Sequence, residues 1–370
     1  MNMKDIKMVD LKGQYDRLSG EINTAIQGVI DSSAFINGPD VQLFCDELAD
    51  FLDVRHVVPC GSGTDALLVA LMALDLKPGD EVITSPFSFV SCIEVIRLLG
   101  LTPVLADVDP LTFNIDPLQV EKRITSKTKA IIPVHLFGQC ANMGLLLEHD
   151  IPIIEDTAQS LGTDYLSGNG IYKAGTIGAM GTCSFFPSKN LGCYGDGGAI
   201  ITDDTSLYNK LKPIVNHGSS RKYYYDRVGI NSRLDTIQAA ILRVKLRHLS
   251  SFNKARQDAA DTYDIILDNK SQIQIPYRAS YSTHIFHQYT LIAEGRDRLV
   301  KYLRSKHIPV MVYYPLALHL QKAYQDLGYD ENDFPVAEYL SRNVLSIPMH
   351  TELEVDQIEY ICHHIKEGVK

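Results

Sequence analysis

No stretch of these 370 residues approaches the ~20 consecutive apolar residues that a membrane-spanning helix needs. The first segment, MNMKDIKMVDLKGQYD, also lacks the apolar core of a signal peptide. These two absences predict a cytoplasmic protein with no membrane partner. Positive charge is in short supply as well: 35 Lys and Arg against 45 Asp and Glu leave a formal net charge of −10. Binding to a phosphate backbone needs a broad basic footprint, so nucleic acid is not an expected partner. The seven cysteines (Cys45, Cys60, Cys92, Cys140, Cys183, Cys193 and Cys362) are scattered, odd in number and free of any C-x-x-C pair. They read as buried thiols of a reducing compartment. Internal repeats and low-complexity tracts are absent too. What remains is an ordinary globular composition, 45% hydrophobic and 22% charged. Single cores stop growing at roughly 250–300 residues, which predicts two domains, 1–250 and 251–370.

Between residues 57 and 201 short apolar runs alternate with helical patterns. Strands are predicted at His56–Pro59, Glu81–Thr84, Pro103–Ala106, Ala130–Val134, Pro152–Glu155, Thr182–Phe186 and Ala199–Thr202, with helices at Ala66–Leu74 and Ser91–Leu99. Apolar runs without strict alternation suit strands covered on both faces, so the fold class is α/β with a mostly parallel seven-stranded sheet. A long helix is expected from Thr236 past Ala255. Beyond Ile273 the texture predicts a small α+β domain, with strands at Phe286–Ile292 and Val310–Tyr313 and helices at Arg296–Lys306 and Val355–Ile365. The first 50 residues show one amphipathic helix, after Asp40, and the alternative place for this segment is beside the small domain.

Three motifs carry chemistry. Cys60-Gly61-Ser62-Gly63-Thr64-Asp65-Ala66-Leu67 places a glycine turn between a strand and a helix, where free N–H groups and the Ser62 and Thr64 hydroxyls suit a phosphate. The spacing also fits G-x-G-x-x-A, the loose dinucleotide fingerprint of an NAD-dependent oxidoreductase. That reading wants an acidic residue at the end of the next strand, and Asp80 and Glu81 stand before it. Glu155-Asp156-Thr157-Ala158-Gln159 ends a strand, so its two carboxylates point to opposite faces and one of them is expected to meet a ligand. Helix capping is the plainer role for Asp156. In Ser184-Phe185-Phe186-Pro187-Ser188-Lys189-Asn190-Leu191-Gly192, a lysine stands on an irregular turn among aromatic, proline and glycine residues. Poor solvation there would lower its pKa, as an imine-forming amine requires, whereas a surface lysine would simply be solvated. A phosphate cradle, a carboxylate for a ring nitrogen and an activated amine together are the parts that pyridoxal phosphate needs.

The same stretches resemble the DegT/DnrJ/EryC1/StrS sugar aminotransferases, of the fold type I, aspartate-aminotransferase-like group. The resemblance runs from Val9-Asp10-Leu11 through Gly38, GSGTDAL, HLFGQ (His135–Gln139), EDTAQSLG, SFFPSKNLG and GDGGAI to Gly229–Asp235. It implies that Lys189 is the imine-forming lysine, that Asp156 keeps the pyridine nitrogen protonated, that Gln159 approaches the ring hydroxyl and that Phe89 stacks on the ring. It further implies phosphate contacts from Gly63, Thr64 and Ser184, with Asn231 reaching in from the partner of a homodimer. Arg233, Tyr313, Tyr314 and His319 resemble substrate-facing positions. Tyr313-Tyr314-Pro315 stands where several relatives have His-Tyr-Pro, and Leu316-Ala317-Leu318-His319 is looser than the common P-L-H, which leaves the sugar open.

The resemblance implies amino transfer from L-glutamate to a nucleotide-linked keto-sugar, in cell-surface polysaccharide biosynthesis. A dehydratase of the same family would carry His in place of Lys189. A catalytically silent, cofactor-bound regulator is the remaining alternative. Other constellations are weaker. His284-x-x-His287 lies in a β-type stretch, where a three-residue step points to opposite faces, so no metal is expected. Arg221-Lys222-Tyr223-Tyr224-Tyr225-Asp226-Arg227 mixes basic and aromatic residues as a loop over a nucleotide-sugar would, and also as an ordinary surface loop would.

Overall fold

The computed structural model describes residues 5–267 and 272–369. Four strands run in the order His56–Cys60, Gly198–Thr202, Met180–Ser184, Ile154–Asp156, and three more in the order Thr128–Ile132, Glu81–Thr84, Thr102–Leu105. Parallel bridges from Ile131 to Ile153 and from Val134 to Asp156 join the two groups into the seven-stranded sheet expected. Gly198–Thr202 runs antiparallel to both neighbours, and the other pairings are parallel. All five residues of Gly198–Thr202 are buried, because helices cover both faces of the sheet.

One of the covering helices, Gly63–Ala73, carries almost no polar side chain beyond its first turn, as a helix buried all round must. It packs on the Met180–Ser184 and Gly198–Thr202 strands and against helix Ser91–Leu98. A second core gathers Tyr263, Phe286, Tyr289, Leu345 and Ile361. Its antiparallel sheet orders Ile273–Gln274, Tyr289–Ala293 and Val344–Ile347, flanked by helices Leu249–Leu267, Arg296–Ser305 and Val355–Gly368. The chain returns to the first core in between, where Leu318, Phe334 and Leu340 are buried. We propose that the boundary lies near residue 250, since Leu249 packs with the first unit and Ala259–Leu267 with the second.

Several elements differ from expectation. The first 50 residues carry two helices, Leu11–Ser32 and Pro39–Leu52. The earlier one has a sparse apolar stripe, Leu18, Ile22 and Val29, and is fastened by ion pairs from Arg17 to Glu352 and from Arg247 to Glu21. Ile6 packs on the second core, so the N-terminal segment touches both units. The helix expected from Thr236 past Ala255 is two, Thr236–Leu246 and Leu249–Leu267. Val310–Tyr313 is no strand and makes only one bridge, Met311 to Ser346. The strand predicted from Phe286 starts at Tyr289, because Phe286 takes φ +46° where the chain crosses Gly138.

Candidate active site

The sheet brings the three motifs together at the carboxyl ends of its parallel strands, the edge where α/β folds bind ligands. Ser184 and Asp156 end adjacent strands, and the glycine turn follows the His56–Cys60 strand. Ser62 caps the next helix: its hydroxyl accepts from Asp65 N (3.1 Å) and its carbonyl from Ala66 N (3.0 Å). The N–H groups of Gly63 and Thr64 are thus left for an anion. A Cβ at Gly63 would lie 2.6 Å from the Ser184 Cβ, so only glycine lets the helix start this close to the strand.

Glu155 and Asp156 do point apart. Glu155 is wholly buried and accepts from His135 Nε2 (2.8 Å) and from the N–H groups of Gly175, Ile177 and Gly178, so its acceptors are spent on structure. Asp156 receives Ala158 N on Oδ1 (3.0 Å) and the Cys92 thiol on Oδ2 (3.4 Å). No helix follows Asp156, so the capping role read from the sequence is not met: Oδ1 closes a turn onto Ala158 N instead, which occupies one oxygen only.

Gln159 holds two walls of the cleft. Its Oε1 accepts from Phe137 N (2.8 Å), and since a backbone N–H can only donate, this fixes the amide with its nitrogen towards the Tyr314 hydroxyl at 3.3 Å. Edge-to-face contacts run from Phe137 through Phe113 and Phe87 back to Tyr314 and close the circuit. Burial raises the Tyr314 hydroxyl above the ordinary tyrosine pKa, so it stays protonated.

Lys189 sits on a turn closed by its own N–H to Phe186 O (2.9 Å). A Cβ at Gly192 would meet Pro187 O at 2.4 Å, which explains the glycine. Asn190 fastens the turn to Asn253 Oδ1 at 2.7 Å. Desolvation lowers the Lys189 pKa to about 8, partly opposed by Asp156, the charge that favours the ammonium.

Phe89 keeps 54% of its surface exposed, a free ring face beside helix Ser91–Leu98. The Gly229–Asp235 segment is pinned through Ser232, whose hydroxyl accepts from Gly61 N (2.8 Å) and donates to Asp65 Oδ2 (2.7 Å). With Ser232 turned inward, Asn231 lies exposed. Arg233 lines a cleft with Asn37, Lys212 and Asn216. Tyr313 is half-buried, its ring 5.9 Å from that of Tyr314. His319 is buried between Phe334 and Glu338 (Nε2 to Oε1, 3.2 Å). It packs the fold and offers no open face to a substrate. His284 and His287 are buried, His284 stacking on Phe286, and among the described residues no group of His, Cys, Asp and Glu is arranged to hold a metal. Residues 221–225 belong to a hairpin with Tyr223, Tyr224 and Tyr225 exposed.

Sequence reasoning missed Cys92 and Lys245. In the sequence Cys92 is one of seven scattered cysteines and Lys245 belongs to no motif. The proximity of each to the site is tertiary.

Residues 16–366 match the DegT/DnrJ/EryC1/StrS aminotransferase family. A Geobacillus stearothermophilus protein named "Pleiotropic regulatory protein" is 44% identical over 369 residues, 98% of each chain. The "UDP-2-acetamido-2-deoxy-3-oxo-D-glucuronate aminotransferase" of Pseudomonas aeruginosa is 41% identical over 361 residues, 96% of this chain and 98% of that one. The fold matches that of S. venezuelae DesV, solved in complex with a ketimine intermediate, with a TM-score of 0.96 at 37% identity over 100% of this chain and 99% of that one. Fold, ordered motifs and site geometry agree, and the chain belongs to the DegT/DnrJ/EryC1/StrS aminotransferase family.

Proposed function

We propose that this protein is a pyridoxal-phosphate-dependent aminotransferase that converts the 3-keto group of a nucleotide-linked sugar to an amine, with L-glutamate as donor. The observation that carries the reading is Lys189, an amine with its pKa lowered to about 8 on a turn facing the carboxylate of Asp156. When bound, pyridoxal phosphate supplies an aldehyde carbon for imine exchange and a protonated ring that accepts electrons from the carbon losing its proton.

The chain's residues fit that group. The N–H groups of Gly63 and Thr64, with the Thr64 and Ser184 hydroxyls, hold the phosphate. Asp156 Oδ2 faces the ring nitrogen and stabilises its positive charge. The Gln159 amide nitrogen, already oriented by Phe137, donates to the ring hydroxyl. Phe89 covers one ring face. Lys189 would be the amine that holds the cofactor's aldehyde carbon, and as a free amine it would be the base that takes a proton from the donor's α-carbon. Desolvation raises the neutral share of this amine, as a base requires. Asn231 of the partner in a homodimer completes the phosphate site, which accounts for an exposed polar residue on a pinned segment. Arg233, Tyr313 and Tyr314 then face the nucleotide-sugar.

The position of the keto group rests on the Pseudomonas relative, named for a 3-oxo sugar. A regulator without chemistry, the reading that the Geobacillus name favours, gives no role to an amine placed beside Asp156 at the strand ends. Incubating the protein with L-glutamate and a panel of 3-keto and 4-keto nucleotide sugars tests the proposal. Amino-sugar and 2-oxoglutarate should form with 3-keto substrates. Turnover confined to 4-keto substrates overturns the position, and no transfer with any overturns the activity.

A further inference from the structure

Cys92 is fully buried in the first turn of helix Ser91–Leu98, with its sulfur 3.4 Å from Asp156 Oδ2. The Thr84 and Ser88 hydroxyls also approach the sulfur, but they donate to the carbonyls of Ile132 (2.9 Å) and Phe89 (3.0 Å). Either hydroxyl oxygen could still accept, but the thiol hydrogen bond runs to the Asp156 carboxylate, the charged and stronger acceptor. Desolvation and the Asp156 charge push the thiol pKa well up, so the group remains a donor throughout the working range. Backbone N–H on one oxygen and thiol on the other together fix the plane of the Asp156 carboxyl group.

We propose that Cys92 is a positioning residue for the reaction, its thiol holding Asp156 Oδ2 in line with the ring nitrogen of the cofactor. The inference rests on the pyridoxal-phosphate reading. A thiol suits the task because it is a weak donor: it orients the oxygen while leaving nearly all of its negative charge for the pyridinium. Phe89, assigned above to a ring face, stands two residues before the same helix, so one turn of backbone sets both the stack and the thiol that orients the counter-charge. The buried environment also keeps the thiol from oxidants, since reactivity needs a thiolate and access.

A double-mutant cycle separates positioning from packing. Cys92→Ala, Asp156→Asn and the double variant are titrated with pyridoxal phosphate, following visible absorbance and Kd, with thermal melts to show that each is folded. Cys92→Ala is expected to raise Kd about fivefold and to lower kcat by a similar factor in the wild-type background. Cys92→Ser, which keeps a donor, should return both to within about twofold. In the Asp156→Asn background the same Cys92→Ala change should alter Kd less than about twofold, because the group it orients has lost its charge. An equal fivefold loss in both backgrounds would mean a cavity effect alone and overturn the proposal, as would an unchanged Kd and kcat in Cys92→Ala. Absence of any chromophore in the unsubstituted protein is a distinct result: it removes the cofactor reading, and this inference with it.

Discussion

The side chain of Lys245, on helix Thr236–Leu246, donates to the carbonyl of Gly192 at 2.5 Å and so ties that helix to the loop bearing Lys189. Its Nζ lies 5.1 Å from the centre of the Tyr194 ring, and the side chain is buried. Desolvation lowers its pKa to about 8, against an ordinary value of 10.5. In this window the unfolded chain holds a proton that the folded chain has released. Folding stability from this group therefore rises with pH between about 8 and 10.5 and is absent below it. From about pH 7.5 to 9.5, wild type should gain up to about 2 kcal/mol relative to Lys245→Met, a relative Tm shift of about 2–4 °C. A Tm difference that stays flat across this range would show that Lys245 titrates normally.

Lys189→Ala should abolish turnover, lowering kcat by at least about four orders of magnitude, since one change removes both the imine-forming amine and the base. The variant should fold, because Lys189 is only partly buried and its truncation removes a desolvated amine. Steady-state kinetics and a melting curve check both halves. Near-wild-type transfer in this variant would send the catalytic role elsewhere.

Asp156→Asn keeps the shape and loses the charge. A fall in kcat of about 100-fold or more is expected, with a much smaller fall in cofactor affinity, because the carboxylate matters most when electrons arrive in the ring. Comparing kcat with the Kd for pyridoxal phosphate reads the split. An unchanged rate would leave Asp156 with only its turn to Ala158.

Gly63→Ala should weaken cofactor binding about tenfold, since the new methyl would lie 2.6 Å from the Ser184 Cβ and must push the helix start off the strand end. If Gly63→Ala binds normally, the N–H groups of this turn are not the phosphate cradle.

Ser232 turns into the chain while Asn231 stays exposed, so the shared site can be tested by mixing subunits. Lys189→Ala and Asn231→Asp proteins should each be poor enzymes, the second because it places a carboxylate against the phosphate. In heterodimers one site would carry both defects and the other neither. Activity above the sum of the parents should appear after dissociation and reassociation. Heterodimers verified by mass that gain nothing would put Asn231 outside the partner's site.

Much of this protein is legible in its sequence because the signals are local. The alternation of short apolar runs with helical patterns yields all seven strands of the large sheet to within a few residues. The GSGTDAL turn is legible because strand, glycines and helix start are contiguous, although the Ser62 hydroxyl read there for a phosphate accepts from Asp65 N as a helix cap, and Lys189 stands out because its neighbours are unusual for a lysine. Helix Leu11–Ser32 was not legible: its apolar stripe is thin, and partners more than two hundred residues away fasten it. His319 read as a substrate contact because its motif resembles one, but Glu338 and Phe334 enclose it.

The sequence by itself determined the sheet, the three motifs and the class of chemistry, since spacing along the chain sets strand, turn and cap. Only the tertiary structure decided which carboxylate is available and what holds each reactive group. Glu155 and Asp156 are neighbours in sequence, yet four donors gathered from residues 135 to 178 occupy Glu155, while Cys92, from residues far upstream, reaches Asp156. Such assignments depend on distances across the sheet, which no local pattern encodes, because burial and hydrogen-bond partners arise only when remote segments pack.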